Sequence, residues 1–150
     1  MIKISVCDDD EGQLTFFKQC FMEYNEKHKE KIEANFYQSV QSLLNEKKFS
    51  PDVYFLDIEL QDGNGLKLAG KIRTRNSKIP IVFITSHEEF MPEAFHVHAY
   101  QYLNEKKNAQ AVENVLNQLA DYFSEQNQIF SFQTYGEMIS LDCRDIICFT

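Results

Sequence analysis

Short apolar runs and longer amphipathic stretches alternate along the chain. The apolar runs occupy residues 2–7, 32–36, 53–58, 79–84 and 100–103. Each has the length of a strand, and VYFLDI and IPIVFI are almost continuously apolar. Runs of this kind are typical of parallel strands that are covered on both faces. The pattern therefore predicts five strands, most of them buried.

Helical periodicity occupies the stretches between these runs. Apolar residues recur every three or four positions at Leu14, Phe17, Phe21 and Tyr24, and again around residues 40–44, 66–72, 88–96 and 111–123. This spacing places the apolar side chains on one face of each helix. Ser39 is a suitable N-cap for the second helix. Five strands alternating with five helices predict an α/β, doubly wound domain with a parallel sheet.

The tail of the chain has a different pattern. From Ile129 onward, IFSFQTYGEMISLDCRDIICFT contains three short apolar segments, with a turn signal at residues 135–137. We predict a β-hairpin followed by a third strand. Three short strands can hardly bury a core by themselves. We therefore divide the chain into a main domain, 1–125, and a segment, 126–150, that holds a linker and the start of an incomplete β-rich domain.

Composition and charge narrow the classes of protein. The chain has 150 residues, 43% of them hydrophobic, and a formal net charge of −8. It is long enough for a domain with a proper core, and its acidic charge disfavours binding to nucleic acid by this chain alone. No apolar run is long enough to span a bilayer, and the N-terminus does not resemble a signal peptide. We expect a cytoplasmic protein that does not bind membranes, with its four cysteines reduced.

Polar side chains gather where the predicted strands end. Asp8 and Asp9 follow the first strand, Asp57 lies at the end of the third, and Thr85 and Ser86 follow the fourth. The carboxyl ends of parallel strands form the usual ligand site of such folds. Three converging carboxylates repel each other unless a cation is present, and an all-oxygen ligand set suits Mg²⁺. An aspartate beside a metal can also act as a nucleophile toward phosphorus.

Three segments resemble the receiver domain of bacterial two-component response regulators: CDDD, FLDIELQDGNGLKLAGKIR and IVFITS. The resemblance covers about residues 2–124 and implies a flavodoxin-like sheet with strand order 2-1-3-4-5. It also implies specific roles for site residues. Asp57 would be the phosphoacceptor, Asp9 a direct Mg²⁺ ligand, Asp8 a ligand mainly through water, and Glu59 a ligand through its backbone carbonyl. Thr85, with Ser86 beside it, would contact the phosphoryl group, and Tyr102 would be the switch aromatic residue.

The segment TSHEEFMPEAFHVHAYQYL resembles the LytR/AgrA type of receiver, which carries a C-terminal LytTR DNA-binding domain. The tail is similar to the first strands of that domain. The resemblance implies a sensor histidine kinase as a partner and a homodimer formed through the face of the fourth helix and fifth strand, with Phe95, Tyr100 and Tyr102. It implies contact with DNA only through the remainder of the LytTR domain.

The chain departs from the family pattern after the fifth strand. Receivers place a lysine three residues after the switch aromatic residue, followed by proline, whereas this chain has Glu105 and then Lys106. Without proline, a cis peptide costs about 2.5–4 kcal/mol, so we expect a trans bond. Three readings stay open. Lys106 reaches the site through a loop shifted by one residue, or Glu105 points away and no cation serves the site, or Glu105 enters the site and alters metal binding.

Three functions are compatible with these sequence features. The first is a phosphorylatable receiver, not an enzyme, that accepts a phosphoryl group from a kinase with Mg²⁺ and switches an output domain that regulates transcription. The second is a degenerate receiver that is not phosphorylated and acts as a constitutive dimerisation or interaction module. The third is a Mg²⁺-dependent phosphatase with Asp57 as nucleophile. Such enzymes require a second acid two residues further on, where this chain has Glu59.

Overall fold

The computed structural model describes residues 1–85, 88–103 and 108–139, with the backbone alone for Glu88 and for residues 127–139. The strands are β1 (Ile2–Cys7), β2 (Ile32–Tyr37), β3 (Val53–Asp57), β4 (Glu59–Leu60), β5 (Gly63–Asn64), β6 (Ile81–Ile84) and β7 (Gln101–Leu103). The helices are α1 (Glu11–Lys27), α2 (Val40–Asn45), α3 (Gly65–Arg75), α4 (Met91–His96) and α5 (Ala109–Ile139), and a 3-10 helix spans Glu88–Phe90. Residues Met1–Glu113 form one compact unit and Asn114–Thr150 a second.

The main sheet has five parallel strands in the order β2-β1-β3-β6-β7. Counted among the strands of this sheet alone, the order is 2-1-3-4-5, which confirms the flavodoxin-like prediction. β1 and β3 are neighbours at the centre, with Cys7 paired to Leu56. The two strands therefore end side by side, and the residues that follow them lie at one edge of the sheet.

Both faces of the sheet are covered within the first unit. On one face, the ring of Phe55 lies 5.7 Å from that of Phe17 and 5.8 Å from that of Phe21, both on α1. The next residue, Leu56, belongs to a buried cluster that includes Leu66, Leu68 and other residues of α3. Because consecutive residues of a strand point to opposite faces, this explains why β3 is apolar at almost every position.

The loop after β3 is more ordered than the sequence pattern indicates. Its residues form a two-stranded antiparallel ribbon, with Glu59 paired to Asn64 and Leu60 to Gly63. The turn of the ribbon presents Asp62, whose two carboxylate oxygens accept hydrogen bonds from the backbone N–H groups of Val40 and Gln41, at 2.9 and 3.1 Å. Asp62 thus caps α2 from another part of the chain, in addition to the predicted cap.

The predicted cap of α2 is confirmed. The Ser39 side chain accepts a hydrogen bond from the Ser42 N–H, and the Ser42 side chain reaches back to the Ser39 N–H, which forms a capping box. The weaker helix predicted for 88–96 is a 3-10 turn followed by α4, which has Pro92 in its first turn. The fourth helix is therefore short, and its regular part covers only six residues.

The strands predicted for residues 129–139 are wrong, because α5 continues as a helix to Ile139. A helix that already exists gains one backbone hydrogen bond for each residue that it adds, whereas a hairpin needs new partner strands. Gly136 costs the helix only about 1 kcal/mol relative to alanine. Residues 140–150, the rest of the predicted β tail, lie outside the described residues. The proposed boundary near residue 125 therefore stays a prediction.

No helix in the described part of the chain is both long enough and apolar enough to cross a bilayer.

Candidate functional site

Three carboxylates meet at the carboxyl edge of the main sheet. Asp8 follows β1, Asp9 comes next, and Asp57 is the last residue of β3. One oxygen of each carboxylate lies within 4.8 Å of the others. Asp8 is fully buried and Asp57 is only 3% exposed, while Asp9 is partly exposed. Such close carboxylates favour the binding of a cation, because their mutual repulsion is strong where water is excluded.

Backbone groups hold the first two carboxylates in place. The N–H of Asp10 donates to the Oδ1 of Asp8 at 2.9 Å, and the Asp8 N–H donates to the carbonyl of Tyr37 at 3.0 Å. The Oδ2 of Asp9 accepts a hydrogen bond from the N–H of Gln61 at 3.0 Å. The ribbon after β3 is thereby tied to the loop after β1, and this contact orients Asp9 toward the same edge as Asp57.

The donor set fits Mg²⁺ in chemistry and in size. Octahedral Mg²⁺ binds oxygen at about 2.1 Å, which places its ligand oxygens roughly 3–4.2 Å from one another. The cluster of Asp8, Asp9 and Asp57, with one oxygen of each inside a 4.8 Å envelope, is compatible with that spacing. Glu59 begins β4, two residues after Asp57, so its backbone carbonyl lies close in the chain to the carboxylate. These residues are the candidates to hold the ion.

Gly65 allows α3 to begin against the backbone of Asp57. A Cβ atom at Gly65 would lie 2.1 Å from the Asp57 carbonyl oxygen and 3.0 Å from the Cα of Ile58. The Gly65 N–H also donates to the Ile58 carbonyl at 2.8 Å. Only glycine permits so close an approach. The Asn64–Gly65 pair therefore fixes the backbone that carries the central carboxylate.

Thr85 lies next to Asp57 across the sheet. Asp57 pairs with Ile84, and Thr85 follows at the end of β6 with only 1% of its surface exposed. The Thr85 N–H donates to the carbonyl of Leu103 at 3.0 Å, so the loop after β6 is bonded to the end of β7. Tyr102, partly buried, comes just before Leu103. Thr85 and Tyr102 are thus one hydrogen bond and one residue apart.

The negative charge of this edge also reaches a neighbouring thiol. Burial, followed by the carboxylates of Asp62, Asp8, Asp57 and Asp9, raises the pKa of Cys7 to about 12. The Cys7 Sγ donates to the carbonyl of Ser39 at 3.5 Å. Cys7 therefore stays a neutral, buried thiol. Cys7 and Cys20 are free thiols, and the other two cysteines lie outside the described residues.

Three predicted site residues, Ser86, Glu105 and Lys106, lie outside the described residues. The three readings of the Glu105–Lys106 segment therefore stay open. Sequence reasoning missed two contributors to the site. Gln61 acts through its backbone, which leaves no signal in the sequence. The side chain of Asp10 accepts from the Gly12 N–H as the N-cap of α1, and an aspartate directly before a helix is a recognisable signal for this role.

The residues predicted for the partner surface lie together on the α4–β7 side of the first unit. A cleft of about 270 Å³ is lined by residues that include Phe95, Tyr100 and Tyr102. Phe95 is 70% exposed, whereas the two tyrosines are partly buried. A large exposed aromatic side chain beside an apolar cleft is typical of an interaction surface.

Comparison with known proteins identifies the family. The family model described as the response regulator receiver domain matches residues 4–117. The chain belongs to the response regulator receiver family. It is 32% identical to the sensory transduction protein LytR of Staphylococcus haemolyticus over 111 residues, and this alignment covers 74% of this chain and 42% of that protein. It is 29% identical over 120 residues to an uncharacterized response regulatory protein of Yersinia pestis, or 80% of this chain and 49% of that protein.

This receiver chain spans about half the length of those relatives. Solved structures agree on the fold. The response regulator TrrA of Thermotoga maritima, in complex with Mg²⁺-BeF, matches 79% of this chain and 99% of its own at a TM-score of 0.66 and 22% identity. A CheY-like receiver domain protein of Methanospirillum hungatei matches 85% of this chain and 98% of its own, at a TM-score of 0.69 and 18% sequence identity. The receiver identity of residues 4–117 thus rests on sequence, and the solved structures support the fold.

Proposed function

We propose that Asp57 accepts a phosphoryl group from a phosphohistidine of a sensor histidine kinase, with Mg²⁺ bound beside it. The observation that carries the proposal is the cluster of Asp8, Asp9 and Asp57 at the ends of two neighbouring strands, with an oxygen of each within 4.8 Å. Membership in the receiver family supports the same assignment. The protein is then a stoichiometric phosphoacceptor and not an enzyme.

The transfer step places Asp57 as the nucleophile. A carboxylate oxygen of Asp57 forms a bond to phosphorus as the bond from phosphorus to the imidazole nitrogen of the donor breaks. The imidazole leaves with the bonding electrons and takes up a proton. Asp9, Asp57 and the Glu59 carbonyl would hold Mg²⁺ directly, and Asp8 mainly through water. When bound, the ion neutralises charge on the transferring oxygens. The protein's own contribution is the positioning of Asp57, which Gly65 and the sheet fix.

The switch follows from the bond between Thr85 and β7. If the Thr85 hydroxyl moves toward a phosphoryl group on Asp57, its backbone N–H pulls on the Leu103 carbonyl and so on Tyr102. The change then reaches the α4–β7 surface, which we propose as the homodimer face. A phosphoryl group shifts the population between two states only by its differential interaction with them. The output that we propose is control of transcription, because the LytR protein of Staphylococcus aureus is named a transcriptional regulatory protein.

Phosphorylation is tested directly with the full chain. Acetyl phosphate and Mg²⁺ should give a singly phosphorylated protein, measured by intact mass and by mobility in a phosphate-binding gel. Asp57→Asn should abolish the product. Asp52→Asn is the matched control, because Asp52 precedes the same strand and bonds the Lys3 N–H, far from the cluster. Absence of the product in wild type, under conditions that label a reference receiver, would contradict the proposal and favour the constitutive interaction module.

Substitutions at Lys106 and Glu105 distinguish the three readings of this segment. If Lys106 bonds the phosphoryl group, Lys106→Gln should slow phosphorylation by about tenfold or more, since a charge-assisted hydrogen bond contributes roughly 1.5–3 kcal/mol. Glu105→Gln should then have little effect. The second reading expects no change from either substitution. The third expects Glu105→Gln to change the apparent affinity for Mg²⁺, measured by titration of the phosphorylation rate against the metal.

A further inference from the structure

A second cleft lies away from the acidic edge. It has a volume of about 220 Å³ and lies between α2, α3 and the start of β3. Its apolar wall includes Leu43, Leu44, Ile72 and Ile79. Of the two helices beside the cleft, α2 has six residues and α3 has eleven.

Two cations stand in the wall of this cleft. Lys71 and Arg75 are exposed and lie four residues apart on α3, so they share one face of the helix. Within the described residues, neither forms a salt bridge. Glu46 also lines the cleft, but its carboxylate accepts hydrogen bonds at 2.9 Å from the N–H groups of Lys47 and Lys48. The Glu46 carboxylate is therefore hydrogen-bonded within its own loop.

Tyr54 adds a neutral donor. It lines the cleft and is partly buried, and none of the described residues provides a hydrogen-bond partner for its hydroxyl. Burial raises the pKa of Tyr54, and the positive charge of Arg75 opposes that shift. The phenol is therefore protonated at neutral pH and lies within reach of the Arg75 charge. A hydroxyl donor and a guanidinium on the same wall form a natural recognition pair for a carboxylate.

We propose that this cleft binds a small apolar carboxylate. The apolar part would occupy the wall of Leu43, Leu44 and Ile72, and the carboxylate would be bound by Tyr54, Arg75 and Lys71. The volume suits such a ligand, because a cavity of about 150 Å³ already holds benzene. The helix dipole favours a cation in the last turn of α3, which suits Arg75. The dipole does not explain why a second cation, Lys71, lies one turn earlier, or why the Tyr54 phenol lies beside Arg75.

The cleft proposed to bind a carboxylate is separate from the phosphoacceptor site at Asp57. Tyr54 and Asp57 are three positions apart on β3, which corresponds to about 10 Å along the strand, and an odd separation places their side chains on opposite faces. Both sites can be occupied at once. The proposal therefore does not depend on phosphorylation, and Asp57→Asn should leave binding in the cleft unchanged.

A titration followed by two-dimensional amide NMR tests the proposal on the full chain. The probes are 3-phenylpropionate and the branched 4-methylpentanoate, with 3-phenylpropionamide as the neutral match. At least one of the two carboxylates should give saturable shifts at residues of the cleft, and the amide should bind about tenfold more weakly or not at all, because it lacks the charge. Absence of saturable shifts with both carboxylates would overturn the proposal, as would equal binding of the amide and 3-phenylpropionate.

Variants locate the charge that matters. Arg75→Gln should raise the dissociation constant by about tenfold, and Tyr54→Phe should raise it by a smaller factor, since it removes a neutral hydrogen bond. Lys67→Gln is the matched control, because Lys67 is an exposed cation on the same helix that does not line the cleft. Equal weakening by Lys67→Gln and Arg75→Gln would overturn the proposal, since binding would then depend on net charge alone. Melting curves check that each variant is folded.

Discussion

At the scale of single residues, the position of Asp57 depends on what its neighbours lack. Gly65 has no side chain, and this absence lets the first turn of α3 lie against the Asp57 backbone, with a virtual Cβ only 2.1 Å from the carbonyl oxygen. The carbonyl is backbone and cannot rotate away as a flexible side chain could. Any larger residue at position 65 must therefore move either the helix or the strand end that carries the phosphoacceptor.

Two glycines of α3 form a matched pair for this point. Gly65→Ala should destabilise the protein and lower the rate of phosphorylation, because the new methyl group displaces the backbone of Asp57. Gly70→Ala should instead stabilise it, by about 0.5–1 kcal/mol, since no atom lies within 4 Å of a Cβ at that position. Chemical denaturation measures both. Similar stability of the two variants would show that the close approach at residue 65 costs nothing to relax.

At the scale of elements, the ribbon of β4 and β5 connects the site with α2. Its Gln61 N–H bonds Asp9, and the next residue, Asp62, caps α2 through Val40 and Gln41. A comparable link joins α3 to the segments before β6 and β7. The Arg73 guanidinium donates to the carbonyl of Ile79, before β6, and to the carbonyls of Val97 and His98, before β7. These short segments thus hold the larger helices and strands together.

The Asp62 cap has a pH signature. The N–H groups of Val40 and Gln41 hold the pKa of Asp62 below its usual 3.8. Its contribution to stability is therefore fully present above that pH and is lost as the pH falls through the lower folded value. Asp62→Ala should lower the melting temperature at pH 7, and the difference from wild type should shrink in strong acid. Asp62→Asn, which keeps one acceptor, should lie between them. A difference that is constant with pH would contradict the cap.

At the scale of the whole molecule, charge and metal are linked. The chain carries a net charge of −8, and part of it is concentrated in Asp8, Asp9 and Asp57. A protein pays for such a cluster in its metal-free state, because like charges lie close together with little water between them. The cation that relieves this repulsion should then stabilise the folded chain as a ligand does.

Thermal unfolding with and without Mg²⁺ measures this linkage. Mg²⁺ should raise the melting temperature of wild type, by an amount that corresponds to about 2.7 kcal/mol at one hundred times the dissociation constant. Without the metal, Asp57→Asn should be more stable than wild type, because it removes one of three repelling charges, and it should gain less from Mg²⁺. NaCl at equal ionic strength is the control for screening. An equal gain in wild type and Asp57→Asn would place the metal elsewhere.

The order of the main strands and helices, the parallel sheet and the carboxylates at its carboxyl end could be predicted from the sequence, because periodicity and strand ends are local features. The cap at Ser39 belongs to the same class. The tail shows the limit of such features: Ile129–Ile139 has short apolar segments that suit either strand or helix, and the choice was decided by the helix that precedes it.

The contacts between distant residues could be seen only in the folded chain. The Gln61 N–H bonds Asp9, which lies 52 positions away in the chain. Gly65 lies against the Asp57 backbone, and Tyr54 and Arg75 line the same cleft. None of these has a local signal, because each depends on where two separately formed elements come to lie. The physical reason is that backbone groups and packing distances carry no residue-type code, whereas charge and hydrophobicity do.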